Sequence, residues 1–347
     1  MLDNLHMPPQ NFDLQRLLPE VRCAAEAIAK YDDFLRSMPE HSSLLSVLTN
    51  MEAVSSCHLS GLKMPLLDCL KFDADKSHSR MKPEDRNCIE AVLLYRNALP
   101  NVTISRTCPE INEKLLRDYF ASLNTGQLLR IHPVTRELQT WMDFYKSTYP
   151  EPLVQIALLH VDLYKMQIAG LATGRLVRQL TVLLFWHYAL VSRPAFYITP
   201  RMCADVHEYH KQVFNSYNLE GVHCFCSYFL RKCTESAEFS LNTGLQLKAL
   251  YDEIYQQILN NNISTERYAR QMLNFCFNKL VFNSTQFTAS LDMPRSSSLR
   301  VIRHLTDAAI FTELEPGQGS RPGKYVFQRA LDIAKKEVGF CADKQQD

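Results

Sequence analysis

The sequence predicts a mainly α-helical protein that ends in a small α+β unit. Three observations carry that prediction. Apolar residues recur at helical spacing over most of the chain. Glycine is scarce, at 10 of 347 residues, while Leu, Ala, Glu, Lys and Arg are abundant. The pattern changes character only beyond about residue 265, where short helical stretches give way to strand-like runs.

The elements follow in order. Val21, Ala24, Ala25, Ile28, Ala29, Phe34 and Leu35 form one helical stripe. A second helix is expected over 44–54, after the cap candidates Ser42 and Ser43. Residues 71–87 are polar and predict a loop. Helices are expected over 88–99, 109–123, 133–146 and 152–166; small residues break the pattern at 167–173. A strongly apolar helix follows over 174–191, with further helices over about 199–233 and 241–259. In the last region, helices at 268–280, 284–290 and 294–306 precede strand-like runs at 309–314 and 324–327, which flank the loop EPGQGSRPG. Three short helices and a hairpin predict a winged helix-turn-helix.

Composition narrows the function classes. Hydrophobic residues make up 46% and charged residues 22%, enough for a packed core. A net charge of +1 supplies no global field for nucleic acid or membrane, so any such patch is local. The eleven cysteines contain no CxxC pair. The start, MLDNLHMPPQNFD, has no basic region followed by an apolar run, and the apolar run 180–191 is too short to span a bilayer. A cytoplasmic protein with reduced thiols and no membrane partner is expected. No metal site is expected: Cys224, Cys226, Cys233 and His223 lack zinc-ribbon or zinc-finger spacing and read as helix cysteines, and His207 and His210 read as surface histidines.

The stretch 160–180, HVDLYKMQIAGLATGRLVRQL, holds the candidate chemistry. A tight turn would deliver Gly174 to the first turn of a helix, whose free N–H groups and dipole attract phosphate. Arg175 and Arg178, three apart, would clamp phosphate oxygens, and Thr173 adds a hydroxyl. The plain alternative is a buried helix with two paired or solvated arginines.

This stretch resembles the signature of the Fic family, "HPF, acid, GNGR, two residues, R" behind a helix reading "H, two residues, F". His160 and Leu163 fit the upstream helix; Gly174, Arg175 and Arg178 fit the end of the motif. The departures are severe. The family's catalytic His falls on Gln167, whose amide cannot serve as the base. Its Mg²⁺-holding acid falls on Leu171, and its Pro and Phe fall on Ile168 and Ala169. Residues 52–61, EAVSSCHLSG, resemble the family's inhibitory helix, "EAxxSSxIEG", with Glu52, Ala53, Ser56, Leu59 and Gly61 matching. The inhibitory Glu, which in the family pairs with the arginine here at 178, falls on Ser60. The resemblance therefore implies that the inhibitory ion pair is gone along with the base. The family's target-docking flap would lie in 123–135, which is too short for a full hairpin.

Residues 268–336 resemble the winged helix that ends many bacterial Fic proteins. The helix at 294–306 would be the recognition helix, with Leu299, Ile302 and Leu305 facing the core and Arg295, Ser297, Arg300 and Arg303 exposed to DNA. Arg321 and Lys324 would sit in or beside the wing. From residue 265 onward 12 Lys/Arg oppose 9 Asp/Glu. The alternative is a winged helix used for protein contacts or dimerisation.

The fold class implied is mainly α: an N-terminal helical region with the degenerate inhibitory helix (1–87), a Fic-like helical core (88–260) and a winged helix-turn-helix domain (261–347). The function implied is a non-catalytic Fic-domain protein acting as a binding or regulatory module. Its partners would be DNA, another protein or a second copy of the chain, and ATP is the cofactor its surviving phosphate-facing residues would suit. The rival is a Fic-type adenylyltransferase with an altered loop, moving AMP from ATP to a target hydroxyl. A third reading is a transcription regulator whose core senses a ligand.

Overall fold

The computed structural model describes residues 8–38, 42–75, 81–99, 107–123, 136–168, 170–319 and 321–337. Outside them lie the expected flap beyond Leu123 and the side chains of Ser42, Ala169 and Leu171.

In chain order the helices are α1 (Leu18–Arg36), α2 (Ser42–Leu59), α3 (Leu66–Ala74), α4 (Pro83–Ala98), α5 (Glu113–Leu123), α6 (Arg136–Lys146), α7 (Pro152–Met166), α8 (Thr173–His187), α9 (Thr199–Cys203), α10 (Val206–Asn215), α11 (Leu219–Asn260) and α12 (Glu266–Lys279). Then come β1 (Val281–Asn283), α13 (Ser284–Ser290), α14 (Arg295–Asp307), β2 (Thr312–Glu315), β3 (Lys324–Val326) and α15 (Gln328–Glu337). Among the described residues no helix is long and apolar enough to cross a membrane.

The chain divides into two compact units. The first comprises Met1–Met38, Ser55–Lys63 and Glu90–Leu241. Its centre is the pair α7 and α8. α7 starts on Pro152, which is pre-organised for the first helical position. It buries every residue from Leu153 to Val161, and α8 buries all but Gly174 from Thr173 to Phe185. Helices apolar on all sides have to sit inside a core. Trp141 of α6 donates from its indole N–H to Leu159 O at 2.9 Å, so its polar atom is satisfied there.

The second unit comprises Pro39–Val54, Met64–Ile89 and Asn242–Asp347. It contains a three-stranded antiparallel sheet of order β1-β3-β2. Val281 and Thr312 both face Val326 across it. Asn283 ends β1 and caps α13 with a reciprocal box: its Oδ1 accepts Gln286 N at 2.8 Å, and Gln286 Oε1 accepts Asn283 N at 3.0 Å. Phe277, Phe282, Phe287, Phe311 and Phe327 form the buried aromatic core beneath the sheet.

Several boundaries differ from expectation. α4 begins at Pro83, with Glu84 and Asp85 favourably placed in its first turn. α5 starts four residues later than expected, because Asn112 Oδ1 accepts Leu115 N at 2.9 Å and caps it there. The break expected between 233 and 241 is absent: α11 is continuous. Its polar run is accommodated because Thr234 and Ser236 donate to the carbonyls of Leu230 and Ile198. The structure adds β1 and α15 to the expected elements; the three residues of β1 are too few for an alternation to register. Leu299, expected in the core, is 40% exposed. The buried stripe of α14 is Ser298, Val301, Ile302 and Leu305, spaced i, i+3, i+4 and i+7, and Leu299 falls beside it.

Candidate functional site

The α7–α8 junction forms because α7 ends on a non-glycine residue in the left-handed region, Gln167, at φ 50°. The Gln167 side chain turns back, donating from Nε2 to Tyr164 O at 2.8 Å, and the residue is exposed. A 3-10 turn at Gly170–Ala172 then leads into α8. Ala172 is the N-cap and offers no side-chain cap.

Of the predicted phosphate-facing residues, Thr173 and Arg178 are each 1% exposed and Arg175 is 8% exposed. Arg175 Nε is buried without a hydrogen-bond partner. Arg178 is held by the end of α2. Its Nε donates to Ser56 Oγ, and its Nη2 donates to Ser56 O and Ser60 Oγ, each at 2.7 Å. The same guanidinium lies against Gly174, where an added Cβ would come within 2.9 Å of Nη1. A side chain at 174 would therefore have to push the Arg178 guanidinium aside.

Serine at 60 offers Arg178 no ion pair, but the two positions still touch: the Arg178 guanidinium donates one hydrogen bond to the neutral Ser60 hydroxyl. The geometry at the end of α2 explains how. Gly61 sits at φ 80°. Leu62 N donates to Cys57 O and Gly61 N to His58 O, both at 2.9 Å, which is the Schellman pattern with glycine at its required place. This sets Ser60 at the helix end, where carbonyls carry the negative end of the dipole. Arg178 meets that end in place of a carboxylate.

His160, the upstream match, is a core residue. Its Nδ1 lies 2.8 Å from Thr181 Oγ1 and its Nε2 lies 3.1 Å from the Tyr209 hydroxyl. Thr181 Oγ1 donates to Val177 O, so it accepts from Nδ1–H, and Nε2 accepts from Tyr209. Burial, with the nearby Arg178 charge, pushes its pKa down to about 3. It is a neutral structural link with no route to a substrate proton.

On the second unit, Arg295, Arg300 and Arg303 are exposed as predicted, and Ser297 is half-buried. The hairpin differs from expectation. Arg321 is paired with Glu315. Lys324 is buried, 3.2 Å from both Asp75 and Glu315, so it pins β3 and presents no free charge.

Among the described residues no group of three His, Cys, Asp or Glu could hold a metal ion. Cys226 and Cys233 are buried, and burial pushes both thiols far up. Cys224 is exposed. His223 instead accepts Asp13 N at 3.2 Å under a stacked Phe12 ring. His207 and His210 are exposed, with His210 Nε2 donating to Leu59 O.

The described chain is thus mostly helical, with one small three-stranded antiparallel sheet. Residues 18–103 match the family profile described as Fic/DOC family N-terminal. Among solved structures, a Fic family protein from Desulfovibrio desulfuricans G20 aligns with 90% of this chain and 95% of its own, at 11% identity and a TM-score of 0.48. At those values the likeness carries no functional inference. No curated protein matches the chain.

Proposed function

We propose that this chain is a non-catalytic Fic-domain protein, a cytoplasmic binding or regulatory module that contacts DNA through α14. The observation that carries the reading is Arg178. The side chain expected to meet a nucleotide phosphate is buried, bonded to Ser56 and Ser60 and packed on Gly174. A phosphate at that position would have to displace three hydrogen bonds of the chain itself. Gln167 adds to this, since its amide does not titrate near neutral pH, and loss of a positioned base typically costs roughly 10²–10⁴ in rate.

DNA is favoured as the partner by the element order α12-β1-α13-α14-β2-β3, which we read as a winged helix-turn-helix with α14 as its recognition helix. On this reading the chain carries three functional regions: the inhibitory-helix region to about residue 87, the Fic-like core to about 260, and the winged helix. The adenylyltransferase reading rests on one observation, the unpartnered Nε of buried Arg175 beside the first turn of α8. Calorimetric titration with ATP and Mg²⁺ separates the two. The expected result is no saturable binding at millimolar ATP in the wild type. Binding in the wild type that disappears in Arg178→Ala would revive the enzyme.

A further inference from the structure

We infer that Leu299 is a specificity contact of α14, seated against the 5-methyl group of a thymine in the DNA major groove. The inference rests on the DNA reading above and goes beyond it by naming what the helix reads.

Two observations carry it. The first is placement. Arg295, Leu299 and Arg303 lie at i, i+4 and i+8, so they form one stripe along α14. A leucine 40% exposed between two exposed arginines is an apolar knob set in positive charge. The second is pairing. Among the described arginines of the second unit, Arg267 is paired with Asp292, Arg270 with Glu266, Arg321 with Glu315 and Arg329 with Glu253, while Arg86 lies over the Phe72 ring. Arg295, Arg300 and Arg303 are the arginines of that set left without hydrogen bond or ion pair. The free positive charge of the unit's arginines is thus concentrated on one helix.

The chemistry that complements such a stripe is a polyanion offering an isolated apolar group at the depth a helix reaches. The DNA major groove admits a helix, and its one apolar feature is the thymine methyl, with backbone phosphates to either side that take arginine. The hairpin does not share the role: Lys324 is buried, Arg321 is neutralised by Glu315, and Glu313 is exposed on β2. An acidic protein surface would match the charge, but offers no reason for a lone leucine between the arginines.

The test enriches duplexes from a random-sequence pool on the full chain. The best binder is then compared with the same duplex carrying uracil in place of every thymine, which removes only methyl groups. The wild type is expected to bind the uracil duplex about fourfold more weakly per contacted methyl, and that difference is expected to vanish in Leu299→Ala. Equal binding of the two duplexes by the wild type, or a methyl effect that persists in Leu299→Ala, overturns the inference and leaves the DNA reading standing. No enrichment of any duplex, or sedimentation showing a dimer that Leu299→Ala dissociates, overturns both.

Discussion

At the scale of single residues, the junction is governed by one buried cation and the groups that satisfy it. A guanidinium that is 1% exposed has to be hydrogen-bonded, because removing one partner of a buried charge leaves the other uncompensated. Ser56→Ala removes an acceptor from Arg178 Nε, and a loss of about 1–3 kcal/mol in denaturant unfolding is expected. Ser60→Glu is expected to do the opposite. A carboxylate at 60 meets a positive partner already in place, so the midpoint should rise, by about 1–2 kcal/mol for a half-buried charged hydrogen bond. An unchanged or lower midpoint would mean that the serine geometry is specifically required.

His160 gives the pH prediction. Its folded pKa is depressed from 6.5 to about 3. A base with a lowered pKa binds fewer protons in the folded state, so its contribution is fully present above about 6.5 and is lost as pH falls toward 3. At pH 4.5 the loss relative to pH 7.5 should be about 2–3 kcal/mol from this group. Comparing the pH slope of wild type and His160→Gln isolates it; identical slopes would contradict the assignment of a buried neutral imidazole.

At the scale of elements, the legible features were those with long periodic signals. α7 and α8 were read to within a few residues because they are apolar on most sides, and α12, α13 and α14 because their stripes are regular. The continuity of α11 was illegible because Ser and Thr read as breakers until their hydroxyls find carbonyls of the fold. The contact of Ser60 with Arg178 was illegible for a related reason: a charge-based rule sees no partner in serine, whereas the end of a helix supplies one. Leu299 and Lys324 exchanged their expected environments, which periodicity alone could not resolve at the margin of a stripe or in a three-residue strand. The prediction at this scale concerns α14. If its three unpaired arginines meet phosphates, the log–log salt dependence of DNA affinity should have a slope of about −2.7, and Arg300→Ala with Arg303→Ala should reduce it to about −1. Anisotropy titrations at several salt concentrations measure both, and a slope unmoved by the double substitution would place the contact elsewhere.

At the scale of the whole molecule, two compact units share one chain, and the family match covers the N-terminal part of it. In the helical unit the polar groups around Arg178 and His160 are bonded within the chain. His160 bonds to Thr181 and Tyr209, and Arg178 bonds to the end of α2, where a turnover site would leave such groups facing solvent or substrate. The sheet-containing unit does the reverse on α14, leaving arginines unpaired at the surface. On that contrast we propose binding in the second unit and no chemistry in the first. It is tested most directly by incubating the purified full chain with radiolabelled ATP, Mg²⁺ and a cell lysate, and measuring label transferred to protein. The account predicts transfer no greater than that of an Arg178→Ala control; transfer well above that control, lost on the same substitution, would contradict it.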